Sequence, residues 1–386
     1  MADERLRTIL NPDLALFKDN KPRWNTPDHR RHGFHNLFKL ARYGVSFRAE
    51  KVLCLEKSIS LRIGERPDVQ RLTGLGCFSA MVVARGQEIL FEAYAPDFSA
   101  NQPHAIMSIT KTCLNFMVGG LLAERRLDLH EKIKSYLPEI GSGYADASLQ
   151  QVLNMDVANN YSEDYSDPFA SSYLHELPMG WRLPAPDSSP QVGAYDFLAD
   201  ISSEDVTNRS GAALYKSANS DVLGWVVERV TGRRLGSFYA DIAEAAGLEA
   251  AFHLTSDRDG LPWASGGGCL TARDLVRLGL LFVRRGQGVQ GKQVGCPDFI
   301  EKTRKEPGPV MPAPRGWLHY SNQTKTNGRS IGHGGYGGQY MLADLDSGVV
   351  GVFFSVLENP DAHDGDYSVS VIKMLEDIAM ISDLPS

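Results

Sequence analysis

The 386-residue chain predicts an α+β fold, an α/β sandwich in which an antiparallel sheet is flanked by helices and an all-helical domain is inserted. Two stretches of alternating, strand-like sequence frame the chain, residues 77–94 near the beginning and residues 339–356 near the end. Between them, residues 128–261 alternate helical runs with loops and show few strand patterns. This order of sheet, helices and sheet is typical of one sandwich domain that carries a helical insertion.

The same changes of pattern predict the domain boundaries. We expect residues 71–127 and 262–386 to form the sandwich, and residues 128–261 to form the helical domain. Residues 1–70 are polar and interrupted by prolines, so we expect them to form an N-terminal extension packed on the core.

The first strand-like stretch predicts a hairpin followed by a buried helix. Residues 77–94 are rich in Val, Phe and Ala, with Arg85-Gly86-Gln87 between the two runs. Residues 107–122 are apolar on nearly every side after their first turn. Such a helix is buried rather than exposed on one face.

The later elements are predicted from caps and turns. A helix over residues 221–231 ends at Gly232, and a capped helix covers residues 271–281. In the last third, Asp346-Ser347-Gly348 turns a second hairpin. Residues 367–381 form a closing amphipathic helix.

Two groups of possible metal ligands do not indicate a metal site. His29, His32 and His35 are spaced in threes, but two arginines lie among them and no carboxylate or thiol completes a set. Residues 159–167 are acidic and aromatic, but they lack the glycine and closing glutamate of a calcium loop. We interpret them as a loop beside a pocket.

Composition narrows the functional classes. With 42% hydrophobic and 23% charged residues, the chain is an ordinary globular protein, and a net charge of −7 argues against nucleic-acid or membrane surfaces as partners. The five cysteines are odd in number and lack Cys-x-x-Cys spacing, so no disulfide framework or zinc site is indicated. No signal segment or membrane-spanning run is visible, so we expect a cytoplasmic protein.

Ser108 and Lys111 open the predicted buried helix and provide the first chemical signal. Their i, i+3 spacing places both side chains on one face. A serine beside an amine can be a nucleophile beside its base, once burial lowers the lysine pKa. The alternative is that Ser108 is only an N-cap and Lys111 a solvated residue of the first turn.

Three motifs then stand in order: Ser-x-x-Lys at Ser108, Tyr-x-Ser at Tyr215 and a His-Gly-Gly run at His333. Their types, order and context resemble the serine β-lactamase and penicillin-binding-protein superfamily. Within it, residues 215–223 most resemble the class C and esterase side, and above all the 6-aminohexanoate-dimer (nylon oligomer) hydrolases, and residues 160–165 and 269–275 are similar to that branch too. The resemblance implies a β-lactamase/transpeptidase-like fold over about residue 75 to the C-terminus.

The resemblance also implies a mechanism. Ser108 attacks an amide or ester carbonyl, Lys111 takes its proton and Tyr215 passes a proton to the leaving group. Water then hydrolyses the acyl-enzyme, and no metal or organic cofactor is needed. Ser330, in a literal Gly-x-Ser-x-Gly pattern, is rejected as nucleophile because a glycine-rich strand follows it instead of a helix.

Further contacts to the substrate come from the resemblance alone. The oxyanion lies between the backbone N–H groups of Ser108 and of Tyr336, which follows Gly335. Tyr165 closes over the substrate. Ser217, His333 and Ser265 also contact the substrate, and Ser217 orients Lys111 as well. The alternatives are that Tyr215 is a buried aromatic, that Ser217 is an N-cap and that His333 stabilises a turn.

The third motif departs from the family pattern and limits the expected activity. His333 and Gly334 replace the Lys-Thr pair that usually holds a β-lactam carboxylate. We therefore expect a serine hydrolase of small linear amides or esters, similar to the 6-aminohexanoate-dimer hydrolases. The alternatives are β-lactamase activity, D-amino-acid peptidase activity or a non-catalytic binding homologue. The oligomeric state is left open, with a homodimer among the options.

Overall fold

The computed structural model describes residue 21, residues 24–182 and residues 192–382. The part of the expected N-terminal extension over residues 1–20 therefore lies outside the described residues. The described α-helices are α1 (Pro27–Leu40), α2 (Leu61–Gly64), α3 (Pro67–Thr73), α4 (Cys113–Ala123), α5 (Ile133–Tyr136), α6 (Ser142–Ala145), α7 (Leu149–Leu153), α8 (Ser171–His175), α9 (Ala194–Ala199), α10 (Ser217–Thr231), α11 (Leu235–Ala246), α12 (Ala272–Val283), α13 (Pro297–Lys305) and α14 (Gly365–Ala379). The described strands are β1 (Gly44–Phe47), β2 (Glu56–Lys57), β3 (Phe78–Arg85), β4 (Glu88–Tyr94), β5 (His104–Ala105), β6 (Phe252–Thr255), β7 (Gly268–Leu270), β8 (His319–Ser321), β9 (Thr324–Thr326), β10 (Ser330–Gly335), β11 (Gln339–Asp344) and β12 (Val349–Ser355).

The larger sheet of the described chain has the order β2-β4-β3-β12-β11-β10-β9-β8. Its pairs are antiparallel except for β2 beside β4. A side chain on Gly279 of α12 would touch Val350, and one on Gly351 would touch Leu375 of α14. Because neighbouring strand residues point to opposite faces, α12 and α14 cover opposite faces of β12. The predicted sandwich of an antiparallel sheet between helices is confirmed.

A smaller sheet, of order β1-β6-β7-β5, connects distant parts of the sequence. Gly44 to Phe47 pair with Thr255 to Phe252, so the N-terminal extension supplies a strand of its own. Strand β6 also lies inside residues 128–261, which the sequence predicts as all-helical. A four-residue strand leaves too short a pattern to detect, and it depends on pairing with a strand about 200 residues away.

The segment that contains Ser108 differs from the single helix that the sequence predicts. Residues Met107–Thr112 form a 3₁₀ turn, and α4 follows it. The hydroxyls of Thr110 and Thr112 donate to the carbonyls three residues earlier, at 2.6 and 2.8 Å. These bonds favour the tighter i, i+3 winding. Gly268 of β7 donates to Thr110 Oγ1 at 3.0 Å, which fixes the turn to the smaller sheet.

Several predicted caps are observed. Gly232 has a φ of 69° at the end of α10, and the Thr271 side chain accepts from Asp274 N at the start of α12.

Within the described part of the chain, none of the helices combines the length and the apolar character that crossing a membrane requires. His35 of α1 is buried and lies 2.9 Å from Ser79 Oγ. The described residues contain no cluster of three His, Cys, Asp or Glu side chains that could hold a metal ion.

Candidate active site

Ser108 lies where two cavities meet. Both cavities are lined by Ser108, Tyr165 and Tyr336, and the two tyrosine rings lie 4.8 Å apart. The tryptophan cavity, of about 50 Å³, continues from Ser108 to Trp263. The lysine cavity, of about 170 Å³, continues from Ser108 to Lys325. A substrate bound across Ser108 can therefore place one end in each cavity.

The turn that presents Ser108 is sharply bent. Met107, the residue before it, has a φ of 46°, in the left-handed region that non-glycine residues rarely adopt. A side chain on Gly335 would lie 2.6 Å from the Ile106 carbonyl oxygen, so the end of β10 abuts this turn. Only glycine permits that approach, which brings the main chain of Tyr336 beside Ser108.

Lys111 is completely buried, and its Nζ contacts three oxygen atoms. These are Ser108 Oγ at 3.0 Å, Ser217 Oγ at 3.1 Å and the Ser265 carbonyl at 2.5 Å. Burial lowers the pKa of Lys111 to about 8, although nearby carboxylates oppose this change. The alternative of a solvated Lys111 is therefore wrong.

The hydrogen-bond directions orient the lone pair of a neutral Lys111. The Ser265 carbonyl can only accept, so it takes one N–H. Ser217 Oγ donates to Glu163 Oε1 at 2.8 Å, so it accepts the second N–H from Lys111. The lone pair then faces Ser108 Oγ and can accept its proton.

Glu163, which the sequence reasoning did not single out, holds Ser217 in place. Its carboxylate accepts the Ser217 backbone N–H at 2.5 Å and the Ser217 hydroxyl, and it also accepts from the Tyr165 hydroxyl. Lys216 donates to the carbonyls of Tyr161 at 2.5 Å and Asn159 at 3.3 Å, which ties down the loop that carries Glu163. Ser217 is the first residue of α10 and makes no cap hydrogen bond, so it is not an N-cap.

Asp221 supports Lys111 from one turn further along α10. It accepts from Trp263 Nε1 at 3.0 Å and from Ser265 N at 3.1 Å. It thereby positions the Ser265 carbonyl that accepts from Lys111. Burial raises the pKa of Asp221 to about 7. Ser265 lies on the cavity wall as expected, but its contact with Lys111 runs through the main chain, which no side-chain motif reveals.

Tyr215 lies on the lysine-cavity side of Ser108. Tyr215 lines this cavity together with Ser108, and its ring centre is 5.0 Å from Lys111 Nζ. Burial raises the pKa of Tyr215 well above its usual value of 10, so the phenol keeps its proton at neutral pH. It is placed to give that proton to a group leaving from a carbonyl bonded to Ser108.

His333 does not offer a nitrogen to a substrate in this structure. Its Nδ1 donates to the Gly334 carbonyl at 2.7 Å, and its Nε2 lies 3.3 Å from the Tyr320 hydroxyl. Burial lowers the pKa of His333 well below 6.5, so the ring is neutral. The buried ring faces Tyr320 and lines neither cavity beside Ser108, which favours the alternative in which His333 stabilises a turn; the substrate contact stays a prediction.

The nearest cation to that motif comes instead from the next strand. Lys325 of β9 pairs in register with Gly332 of β10, and its Nζ lies 5.5 Å from the centre of the Tyr215 ring. Arg315 lines the same cavity. The sequence signal was a Lys-Thr pair at residue 325, just before the glycine-rich strand.

Ser330 begins β10 and bonds Asn327 Oδ1 at 3.0 Å, so it is not in a strand-to-helix elbow.

Comparisons with known proteins identify the family and the fold. The β-lactamase family model matches residues 67–371. A 6-aminohexanoate-dimer hydrolase from Paenarthrobacter ureafaciens is 34% identical over 293 residues, covering 73% of this chain and 72% of the relative. A candidate 6-aminohexanoate-dimer hydrolase from Bacillus anthracis has a TM-score of 0.78 at 21% identity, over 93% of this chain and 96% of that one. A penicillin-binding protein homologue from Caulobacter crescentus has a TM-score of 0.57 at 14% identity, over 81% and 97%.

Proposed function

The chain belongs to the β-lactamase family and is a serine hydrolase, and we propose that it cleaves the amide or ester bond of a small linear substrate through an acyl-enzyme on Ser108. The observation that carries this proposal is the buried Lys111 amine, whose Nζ lies 3.0 Å from Ser108 Oγ. Three fixed oxygen partners hold the amine in that position, and burial keeps a useful fraction of it unprotonated near neutral pH.

Acylation begins when Lys111 takes the Ser108 proton as the oxygen attacks the substrate carbonyl. The negative charge on the carbonyl oxygen is stabilised by the backbone N–H groups of Ser108 and Tyr336, which the approach of Gly335 brings together. Tyr215 donates its proton to the departing amine or alkoxide. The proton held on Lys111 balances the charge of the site.

Deacylation reverses these roles. Once the first product leaves, water takes its place next to the ester carbon and Tyr215. The Tyr215 phenolate accepts the water proton, and the protonated Lys111 returns its proton to Ser108 Oγ as the acid product departs, which restores both groups to their starting states. No step in this scheme needs a group that the described residues do not supply.

Two features support a linear substrate over a β-lactam. The two cavities extend from Ser108 in different directions, which suits an extended molecule with the scissile bond in the middle. The Lys-Thr pair of β-lactam-binding relatives is replaced by His333 and Gly334, and His333 is hydrogen-bonded within the protein. The relative from Paenarthrobacter ureafaciens is a 6-aminohexanoate-dimer hydrolase, and we propose the same linear class of amide here.

The test is labelling and turnover on one set of proteins. Wild type, Ser108→Ala and Ser330→Ala are incubated with a fluorophosphonate, with 4-nitrophenyl butyrate and with the 6-aminohexanoate dimer. We expect an intact-mass adduct and ester turnover for wild type and Ser330→Ala, and neither for Ser108→Ala. An adduct that persists in Ser108→Ala, or ligand binding with no turnover and no adduct in wild type, would overturn the proposal. The second result would identify a binding homologue.

A further inference from the structure

The lysine cavity carries two cations without counter-ions. Neither Arg315 nor Lys325 forms a hydrogen bond or ion pair through its side chain with any described residue, and Arg315 Nε is buried without a partner. Arg304, by contrast, is paired with Glu301 and Asp346 at 2.9 and 2.8 Å. We call Arg315 and Lys325 the cationic wall.

An unpaired cation in a half-buried site is unfavourable, because it loses hydration without gaining a partner. Both members of the cationic wall are only partly exposed and face one cavity. Burial and the charge of Arg315 lower the pKa of Lys325 well below its usual value. An anion bound between the two groups would remove this cost, and the Arg315 guanidinium offers the forked geometry that a carboxylate accepts.

The position of Tyr215 identifies which part of the substrate enters this cavity. Tyr215 lines the lysine cavity between Ser108 and the cationic wall, and its ring centre lies 5.5 Å from Lys325 Nζ. In the proposed function Tyr215 protonates the leaving group, so the leaving group must lie on the Tyr215 side of Ser108. The lysine cavity is also the larger of the two.

We propose that Arg315 and Lys325 bind a carboxylate on the leaving group, so that the preferred substrates are linear amides whose amine product is itself a carboxylic acid. This inference rests on the proposed function for its direction. The reaction is R–CO–NH–R′–COO⁻ + H₂O → R–COO⁻ + ⁺H₃N–R′–COO⁻, in which only the amide C–N bond breaks. The carboxylate that is bound takes no part in the chemistry and serves to position the scissile bond.

The experiment compares two substrates that differ only at this end, the 6-aminohexanoate dimer and the same molecule with a terminal carboxamide. The readout is the ratio of their kcat/KM values in wild type, Arg315→Gln, Lys325→Met and Lys373→Met. Lys373 is the matched control, since it lies on α14, bonds Glu376 at 2.7 Å and does not line the cavity. Loss of one charge-assisted hydrogen bond is expected to lower the ratio by about 10- to 100-fold in the first two variants. Lys373→Met should keep the wild-type ratio.

An unchanged ratio in Arg315→Gln and Lys325→Met would overturn the proposal, whether both substrates keep their kcat/KM or both lose it equally. Equal losses would mean that the cations act on Tyr215 rather than on the substrate. If no amide is turned over, inhibition of ester hydrolysis by 6-aminohexanoate and by 6-aminohexanamide decides instead. The acid should inhibit wild type more strongly, and this preference should be lost in both cationic-wall variants. Failure of the proposed function itself has a different signature, which is no ester turnover and no adduct on Ser108.

Discussion

The two walls that carry the second and third motifs, α10 and β10, place their side chains differently. At the start of α10, the Ser217 hydroxyl contacts Lys111 directly. Asp221 holds the main chain of Ser265, whose carbonyl also contacts Lys111. On β10 the side chain of His333 turns away to Tyr320, while the main chain near Gly335 approaches Ser108. A side-chain motif therefore describes the chemistry of the helical wall well. On the strand wall it marks a backbone position, and the charge comes from the neighbouring strand.

The largest expected effect comes from replacing Lys111, the amine that the helical wall holds in place. Lys111→Arg keeps the positive charge but cannot act as a base at working pH. Loss of a general base typically lowers kcat by about 10²- to 10⁴-fold, which we expect for hydrolysis of 4-nitrophenyl butyrate. Lys292→Arg, on the surface and paired with Asp241, is the control and should keep full activity. If Lys111→Arg retained more than a tenth of wild-type kcat, Lys111 would be an electrostatic contact only.

A smaller effect is expected when the support of Ser217 is changed. Glu163→Gln replaces an oxygen that only accepts with a group that also donates, so Ser217 no longer has to direct its proton away from Lys111. We expect kcat to fall about 10- to 100-fold, the range for one lost charged hydrogen bond at 1.36 kcal/mol per decade.

The pH profile separates this effect from simple unfolding. The Glu163 charge raises the pKa of Lys111, so its removal should lower that pKa and move the rise in kcat/KM to lower pH. The thermal unfolding curve shows whether the variant is folded. A folded variant with an unshifted profile would show that Glu163 does not act through Lys111.

In the wild-type enzyme, kcat/KM for a neutral ester should rise with pH through a value near 8. Only neutral Lys111 can accept the Ser108 proton, and burial lowers its pKa from 10.5 to about 8. The neutral fraction then grows from about a tenth at pH 7 to about nine tenths at pH 9. A rate that is constant over this range, after correction for spontaneous hydrolysis, would contradict the assignment of Lys111 as the base.

The smallest expected effect on activity concerns the strand wall. His333→Gln removes the ring that bonds Tyr320, and Tyr320→Phe removes the other partner. Each should lower the free energy of unfolding by about 1–3 kcal/mol, as loss of a buried hydrogen-bond partner does. KM for the ester should change less than about twofold, a shift below 0.5 kcal/mol at 1.36 kcal/mol per decade. A large rise in KM with unchanged denaturant unfolding would restore His333 as a substrate contact.

The sequence predicts the helical wall of the site better than the strand wall. Ser108 and Lys111 are three residues apart, and Tyr215 and Ser217 two apart, so local spacing is enough to find them. Their order along the chain indicates the fold, which the family match confirms. The roles proposed for these side chains remain predictions that the variants above test.

What the sequence leaves out depends on contacts between distant segments. Glu163 meets Ser217 across more than fifty residues, and Lys325 reaches the site only because β9 pairs with β10. The 3₁₀ winding of Met107–Thr112 arises from threonine hydroxyls that a helix pattern does not distinguish from other polar groups. Such contacts are specified by strand register and side-chain direction, and these are set by the packed fold as a whole.

The pairing of β1 with β6 has a consequence for synthesis on the ribosome. The two strands are about 200 residues apart, so at about 5–20 residues per second β1 leaves the exit tunnel about 10–40 s before its partner exists. During that interval its backbone N–H and C=O groups have no native strand to pair with. Strand β1 is therefore made long before its partner, and it can join the native sheet only after β6 has been translated.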